Sequence, residues 1–191
     1  MTPRTAAHTR LREATAVDHA RVDGCFPHGL QDAATYRRYL RGMHALLTAL
    51  SNRDEQLNVG YAIHRQHLAD DLLALDARSA SLPSGIDILD PHARLGVRYV
   101  IEGSALGARL LLRQAEALGH HATSGATFLT HHVDRGITHW PRLMQALAQH
   151  DPATSDFQTV IASARNTFAL AASCFDPMGS AGDVDEGQDR K

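Results

Sequence analysis

The sequence predicts an all-α protein, a single-domain helical bundle, and three observations carry that expectation. Apolar residues recur at the spacing of one helix face, most clearly at Tyr36, Tyr39, Leu40, Met43, Leu46, Leu47 and Leu50. Ala, Leu and Arg dominate while aromatic residues make up only 5% of the chain, a balance that suits helices better than sheets. No segment carries the alternating pattern of a half-buried strand. The 191 residues allow one domain with a substantial core and not two comfortable ones. The domain is expected over 1–176, followed by a disordered tail rich in Gly, Asp and Glu over 177–191.

Start and stop signals then place each element. Thr2 reads as an N-cap with Pro3 at the first helical position, opening a helix through Leu11, Ala14, Val17 and Val22 that ends near Gly24. Asp32 caps a second helix carrying the apolar stripe above, and a third covers roughly Val59 to Leu75. Ser79 to Gly85, with Pro83, is a break. Asp90-Pro91 starts a long helix to Leu118, where Gly119 stops it. His120 to Gly136 is polar and glycine-containing, which predicts an irregular connection. Thr138 then caps a helix to about His150, and Asp151-Pro152 starts the last one, ending near Phe175.

Bulk properties narrow the function classes. A formal net charge of −2 supplies no basic field for nucleic acid. No apolar run approaches the roughly 20 residues of a membrane span. Met1-Thr-Pro-Arg shows no apolar signal region, so a cytoplasmic protein is expected, with the isolated Cys25 and Cys174 as reduced thiols. Thirteen histidines are many for this length and raise metal or haem chemistry as a question.

The most informative stretch is Tyr99-Val-Ile-Glu-Gly-Ser-Ala-Leu-Gly-Ala-Arg109. Glycine inside a helix costs roughly 1 kcal/mol relative to alanine. Gly103 and Gly107 lie one turn apart on one face, with Gly96 upstream. Either helices pack closely there, or the helix kinks, or something flat and bulky lies against bare backbone. A membrane-embedded Gly-x-x-x-Gly pair is excluded by Arg98, Glu102, Arg109 and Arg113. In the first helix, Arg12 and His19 are seven apart, on one face and roughly 10 Å along the axis. An iron-ligating imidazole and a guanidinium at that distance suit a haem, the cation meeting a propionate. An ordinary helical histidine and a surface arginine fit the same spacing.

The remaining histidines say less. His64 and His67 could share a metal, but Arg65, Asp70 and Asp71 beside them suggest a solvated face. His120-His121 and His131-His132 fall in the expected connection and lack zinc spacing. His139, before Trp140 at a helix start, is read as packing or capping. A di-iron centre needs Glu-x-x-His, which is absent.

Together these segments resemble the haem oxygenase family in its bacterial branch. Leu11-Arg-Glu-Ala-Thr…His19 is similar to the family's ligand helix, and Glu102-Gly-Ser-Ala-Leu-Gly-Ala108 to its glycine-rich distal helix. Arg135-Gly-Ile-Thr-His-Trp140 resembles a loop-to-helix junction of bacterial iron-acquisition enzymes, and Ala164-Arg-Asn-Thr-Phe168 their final helix. The resemblance runs from about Leu11 to Phe175. It implies His19 as iron ligand, Gly103 and Gly107 as distal backbone against haem, and Ser104 beside them as a further catalytic position. It also implies Arg12 and Tyr99 at the propionates, with Phe168 at the haem site. The implied reaction opens haem, cofactor and substrate at once, to biliverdin, CO and Fe²⁺, using three O₂ and seven electrons. The electrons would come from a ferredoxin or an NAD(P)H-dependent reductase, since the chain shows no flavin or nicotinamide fingerprint. The product would serve a bacteriophytochrome as chromophore, or the released iron would be the purpose; a non-catalytic haem carrier or sensor on the same fold is the alternative. Departures lie at Ala105, where iron-acquisition enzymes usually have asparagine, and at Phe128, where their distal loop carries a histidine. Ala108 replaces a glycine of many relatives. The departures at Ala105 and Phe128 favour chromophore supply.

Overall fold

Caps and apolar stripes set most of the boundaries seen in the computed structural model, which describes residues 5–80, 82–84, 86–88 and 90–176. The Thr2-Pro3 cap and the tail over 177–191 lie outside the described residues. Eight α-helices and no strand occur among them, as expected for an all-α chain. Helix α1 spans Ala6–Ala14 behind Thr5, whose hydroxyl accepts from His8 N at 3.2 Å. The expected single first helix breaks at Thr15, and α2 runs Ala16–Asp23. The buried Thr15 hydroxyl donates to Leu11 O at 2.9 Å, a back-bond that bends helices. His19 N still donates to Thr15 O, so the two pieces follow each other closely.

Asp32 caps α3, Ala33–Ser51, by accepting from Thr35 N. The expected third helix is α5, Ala62–Ala74. A short helix not expected from the sequence, α4, Glu55–Gly60, capped by Asp54, precedes it and is separated from it at Tyr61. The fully sunk Tyr61 ring sets that break, because φ −117° and ψ 15° leave the helical basin there. Helix α6, Pro91–Ala117, starts at Asp90, which accepts from His92 and Ala93 N. Gly119 follows at φ +90°, a left-handed conformation that favours glycine. Helix α8, Ser155–Phe175, is capped by Thr154 rather than Asp151-Pro152.

The largest correction concerns the expected connection over His120 to Gly136. Helix α7 already begins at Thr127 and runs to Leu147, through Pro141. Its first N–H groups are met from another element: Asp71 of α5 accepts from Thr127 N at 2.9 Å and Phe128 N at 2.8 Å. A carboxylate at a helix N-terminus is favoured by both hydrogen bonding and the helix dipole. Asp71 is therefore buried, not part of a solvated face, and its carboxyl is raised by burial while these N–H groups pull it back. Thr138 is interior to α7, donating to Arg135 O, and Arg135–Trp140 is mid-helix rather than a junction.

Two apolar clusters fill the bundle, one around Tyr36, Leu40, Leu47, Leu50 and Leu68, the other around Leu11, Leu143, Leu147, Phe157 and Val160. Helix α6 runs between α7 and α8 and meets both at backbone distance. A Cβ on Gly96 would stand 2.3 Å from Val160 O, and one on Gly136 2.7 Å from the Ala105 Cβ. Close helix packing thus accounts for Gly96, and the small residue at 105 has a packing reason. One charge is sealed in this layer. Glu102 is 1% exposed and accepts from Tyr61 Oη at 3.0 Å and Arg135 Nη2 at 3.2 Å, while Oε2 has no partner. Breaking a buried pair costs more than replacing both partners. Arg135→Met should destabilise the fold by roughly 3–5 kcal/mol in urea denaturation, and adding Glu102→Met should recover most of that loss.

Candidate functional site

Helices α1, α2, α3, α6, α7 and α8 enclose a cleft of about 1480 Å³. It exceeds the roughly 300–1,000 Å³ of an ordinary small-ligand pocket. Arg12, His19, Tyr99, Gly103, Ser104, Gly107 and Phe168 all border it, so the fold brings together every candidate residue from three separated segments. Ala105 and Phe128 are buried and do not border it.

His19 stands on α2 with its side chain 62% exposed toward this space. Its Nδ1 lies 2.9 Å from the Asp23 carboxylate one turn on, which fixes the proton on Nδ1 and leaves the lone pair on Nε2. The Phe168 ring of α8 meets the imidazole edge-on at a centroid distance of 5.6 Å and limits its rotation. Arg165 holds the same helix by an Nε–Oδ2 bond of 3.0 Å to Asp18. Asp23 was missed in the sequence, though its i, i+4 spacing to His19 was a usable signal.

Across the cleft, α6 presents backbone. A Cβ on Gly107 would meet nothing within 4 Å, and one on Gly103 only the Trp140 ring edge, at 3.3 Å. Neighbouring helices therefore do not demand glycine at 107, in contrast to Gly96. Tyr99 continues this face. Burial raises its phenol, while the Thr15 hydroxyl and the Arg12 charge pull it back, which places these groups side by side. His8 and Trp140 complete an aromatic group with Tyr99, at centroid distances of 5.8 to 6.3 Å. His8 was also missed; it precedes Arg12 by four and so shares its face.

Ser104 links the cleft to a buried pair. Its Oγ is 2.9 Å from His132 Nε2, and His132 Nδ1 is 3.1 Å from His64 Nε2. Both rings are 1% exposed, which overturns the loop placement of His132 and the solvated face expected for His64. Burial first, then neighbouring cations, pushes His132 down to about 3 and His64 to about 2. Phe128, in the first turn of α7 rather than in a loop, stacks on His132 at 5.3 Å and 15°.

No family model and no curated protein matches the chain. Among solved structures, the NO- and CO-bound haem oxygenase of Neisseria meningitidis superposes with a TM-score of 0.70 at 21% identity, over 93% of each chain. The chain has the haem oxygenase fold. Within this haem oxygenase fold, His19 and the glycine face of α6 both line one cleft.

Two outcomes follow from the geometry. Gly107→Ala should raise the stability of the free protein by up to roughly 1 kcal/mol, while Gly96→Ala should lower it by roughly 1–3 kcal/mol; thermal unfolding distinguishes them. Acid should unfold the protein early. Above the ordinary histidine value neither folded nor unfolded chain protonates His64 or His132. Below it only the unfolded chain does, so stability falls with pH by roughly 1 kcal/mol per unit for each ring until the depressed folded values are reached. Urea midpoints between pH 7 and 4.5 check this, and His132→Gln should flatten the slope.

Proposed function

We propose that the protein is a haem oxygenase, opening haem to biliverdin with release of CO and iron. The observation that carries this reading is that one large cleft is lined both by an imidazole whose Nδ1 is held and whose Nε2 is free and by a helix turn with no side chain. The residues present fit haem on three counts. His19 offers an imidazole nitrogen whose partner nitrogen is held by a carboxylate, the usual arrangement of a metal-bound histidine. Gly107 leaves a cradle that a Cβ would fill, since nothing of the protein occupies it. Arg12 and Tyr99 place a cation and a phenol together for a carboxylate.

When bound, haem supplies the iron that activates O₂ and the ring carbon that is oxidised. The chain's own residues do the rest. His19 Nε2 would hold the iron, and an imidazole donor would push less electron density toward O–O cleavage than a thiolate. Asp23 keeps its proton on Nδ1, and Phe168 restrains the ring. Bare backbone at Gly103 and Gly107 would leave room for haem and O₂ against α6. Arg12 and Tyr99 would hold the propionates and so orient the ring in the cleft. Ser104 Oγ holds a proton at the cleft wall. Ala105 and Phe128 have packing roles of their own, so they do not weigh against turnover. Electrons would come from a ferredoxin or a reductase, and the biliverdin would supply a bacteriophytochrome, or the iron would be the gain.

Hemin added at one equivalent, in air with a reductant and catalase, should give a Soret band that decays as a broad red band grows. A shifted but stable Soret band would make the protein a haem carrier or sensor, and no shift would remove haem altogether. His19→Ala should lose coordinated turnover, and added imidazole should restore part of it. Gly107→Ala should bind hemin more weakly although its fold is sound.

A further inference from the structure

Behind the cleft wall, four histidines of α5 and α7 gather where the two helices meet. Their rings approach edge to face: His64 lies 4.9 Å from His131, and His131 lies 5.1 Å from His67, centroid to centroid. Among the described residues no three His, Cys, Asp or Glu side chains group as a metal site. What the cluster does form is a line of exchangeable nitrogens. It runs from exposed Ser104 on the cleft wall, through buried His132 and His64, toward the half-buried His131 and His67. The inner end lacks a hydrogen-bond partner: His64 Nδ1 is buried and unpaired, as are His67 Nδ1 and His131 Nε2 beside it.

We propose that Ser104, His132 and His64 form a proton relay between the His131–His67 edge and the cleft, with Ser104 Oγ as the delivering atom. This rests on the oxygenase reading, since reducing O₂ consumes protons at the cleft. The bookkeeping closes with every group neutral. At the start His64 carries its proton on Nε2 and gives that hydrogen bond to His132 Nδ1. His132 Nε2–H donates to Ser104 Oγ, whose own proton is shared with Ile101 O at 2.8 Å. The serine proton turns into the cleft and leaves, the His132 Nε2 proton moves to Oγ, and the His64 Nε2 proton moves to His132 Nδ1. One proton, taken from water at the half-buried His131–His67 edge, enters at His64 Nδ1. One has left, and both rings have changed tautomer.

Such a chain needs imidazoles that stay neutral, so that each has one donor and one acceptor. Burial, Arg135, His131 and His67 all oppose protonation of the pair. Glu102 is spent on Arg135 and Tyr61 and bonds to neither ring. Phe128 stacked on His132, with Tyr61 edge-on to His64 at 5.5 Å, holds both rings in line.

The haem-free protein tests the relay directly by ¹⁵N NMR of the ring nitrogens. In the wild type, His132 and His64 should be neutral at pH 6, each sharing its proton between Nδ1 and Nε2. Ser104→Ala should confine His132 to one tautomer, and Ser104→Thr should restore the exchange. A wild-type His132 locked in one tautomer, with shifts unmoved by Ser104→Ala, overturns the relay. In the hemin-loaded protein, His132→Gln keeps a donor and an acceptor in place but cannot tautomerise. It should bind hemin as the wild type does, slow Soret decay by roughly tenfold or more and enlarge the solvent deuterium isotope effect. Unchanged rate and isotope effect in that variant overturn the relay and leave the oxygenase reading standing. If wild-type hemin is never consumed, the oxygenase reading fails, and the tautomer exchange alone decides the relay.

Discussion

The structure depends on holding one long helix at backbone distance from two neighbours while leaving one of its turns bare. Helix α6 touches α8 where Gly96 faces Val160 O, and α7 where Ala105 faces Gly136. Interiors are close-packed, so such contacts admit no further methylene. Between and beyond them, Gly103 and Gly107 border the cleft. The same residue type therefore does opposite jobs along one helix. At Gly96 it lets protein backbone approach, and at Gly107 it keeps protein away.

The second constraint is electrostatic. Glu102, Arg135, His132, His64 and Asp71 are all largely removed from water within the α5–α6–α7 layer. Each burial opposes folding unless partners are supplied. Asp71 finds them in two N–H groups of α7, Glu102 in Arg135 and Tyr61, and the two imidazoles in each other and Ser104. A purely structural layer would be more stable filled with leucine. Polar groups placed one helix turn behind a cleft wall make chemical sense when that wall must exchange protons with its surroundings.

The two walls of the cleft differ in kind. On α2, His19 is a solvent-accessible side chain restrained by one carboxylate and one ring edge, so its position follows from local contacts. On α6, the wall is main chain set by packing at either end. A ligand held between them would be gripped by one directional bond and one featureless surface. Orientation in its own plane would then fall to the Arg12–Tyr99 end, where Trp140 and His8 back the phenol.

The sequence by itself determined the all-α class and where α3, α6 and α8 lie, and its family resemblance named residues of distant segments that border the cleft. The helix positions rest on local caps such as Asp32 and Asp90 and on apolar periodicity. The one-face spacing of Tyr99, Gly103 and Gly107 is likewise written in neighbouring positions, while their meeting with His19 and Arg12 is what the resemblance implied. Tertiary structure alone decided where α7 begins, because its cap is Asp71, 56 positions earlier in the chain. It also decided that His64 and His132 are buried partners and that Phe128 packs rather than faces the cleft. The short helix α4, ahead of the expected third helix, and the buried Tyr61 between the two were likewise not legible in the sequence. A helix start made from a remote carboxylate, or a histidine made neutral by surrounding helices, leaves no local pattern, since the groups responsible meet only after the chain has packed.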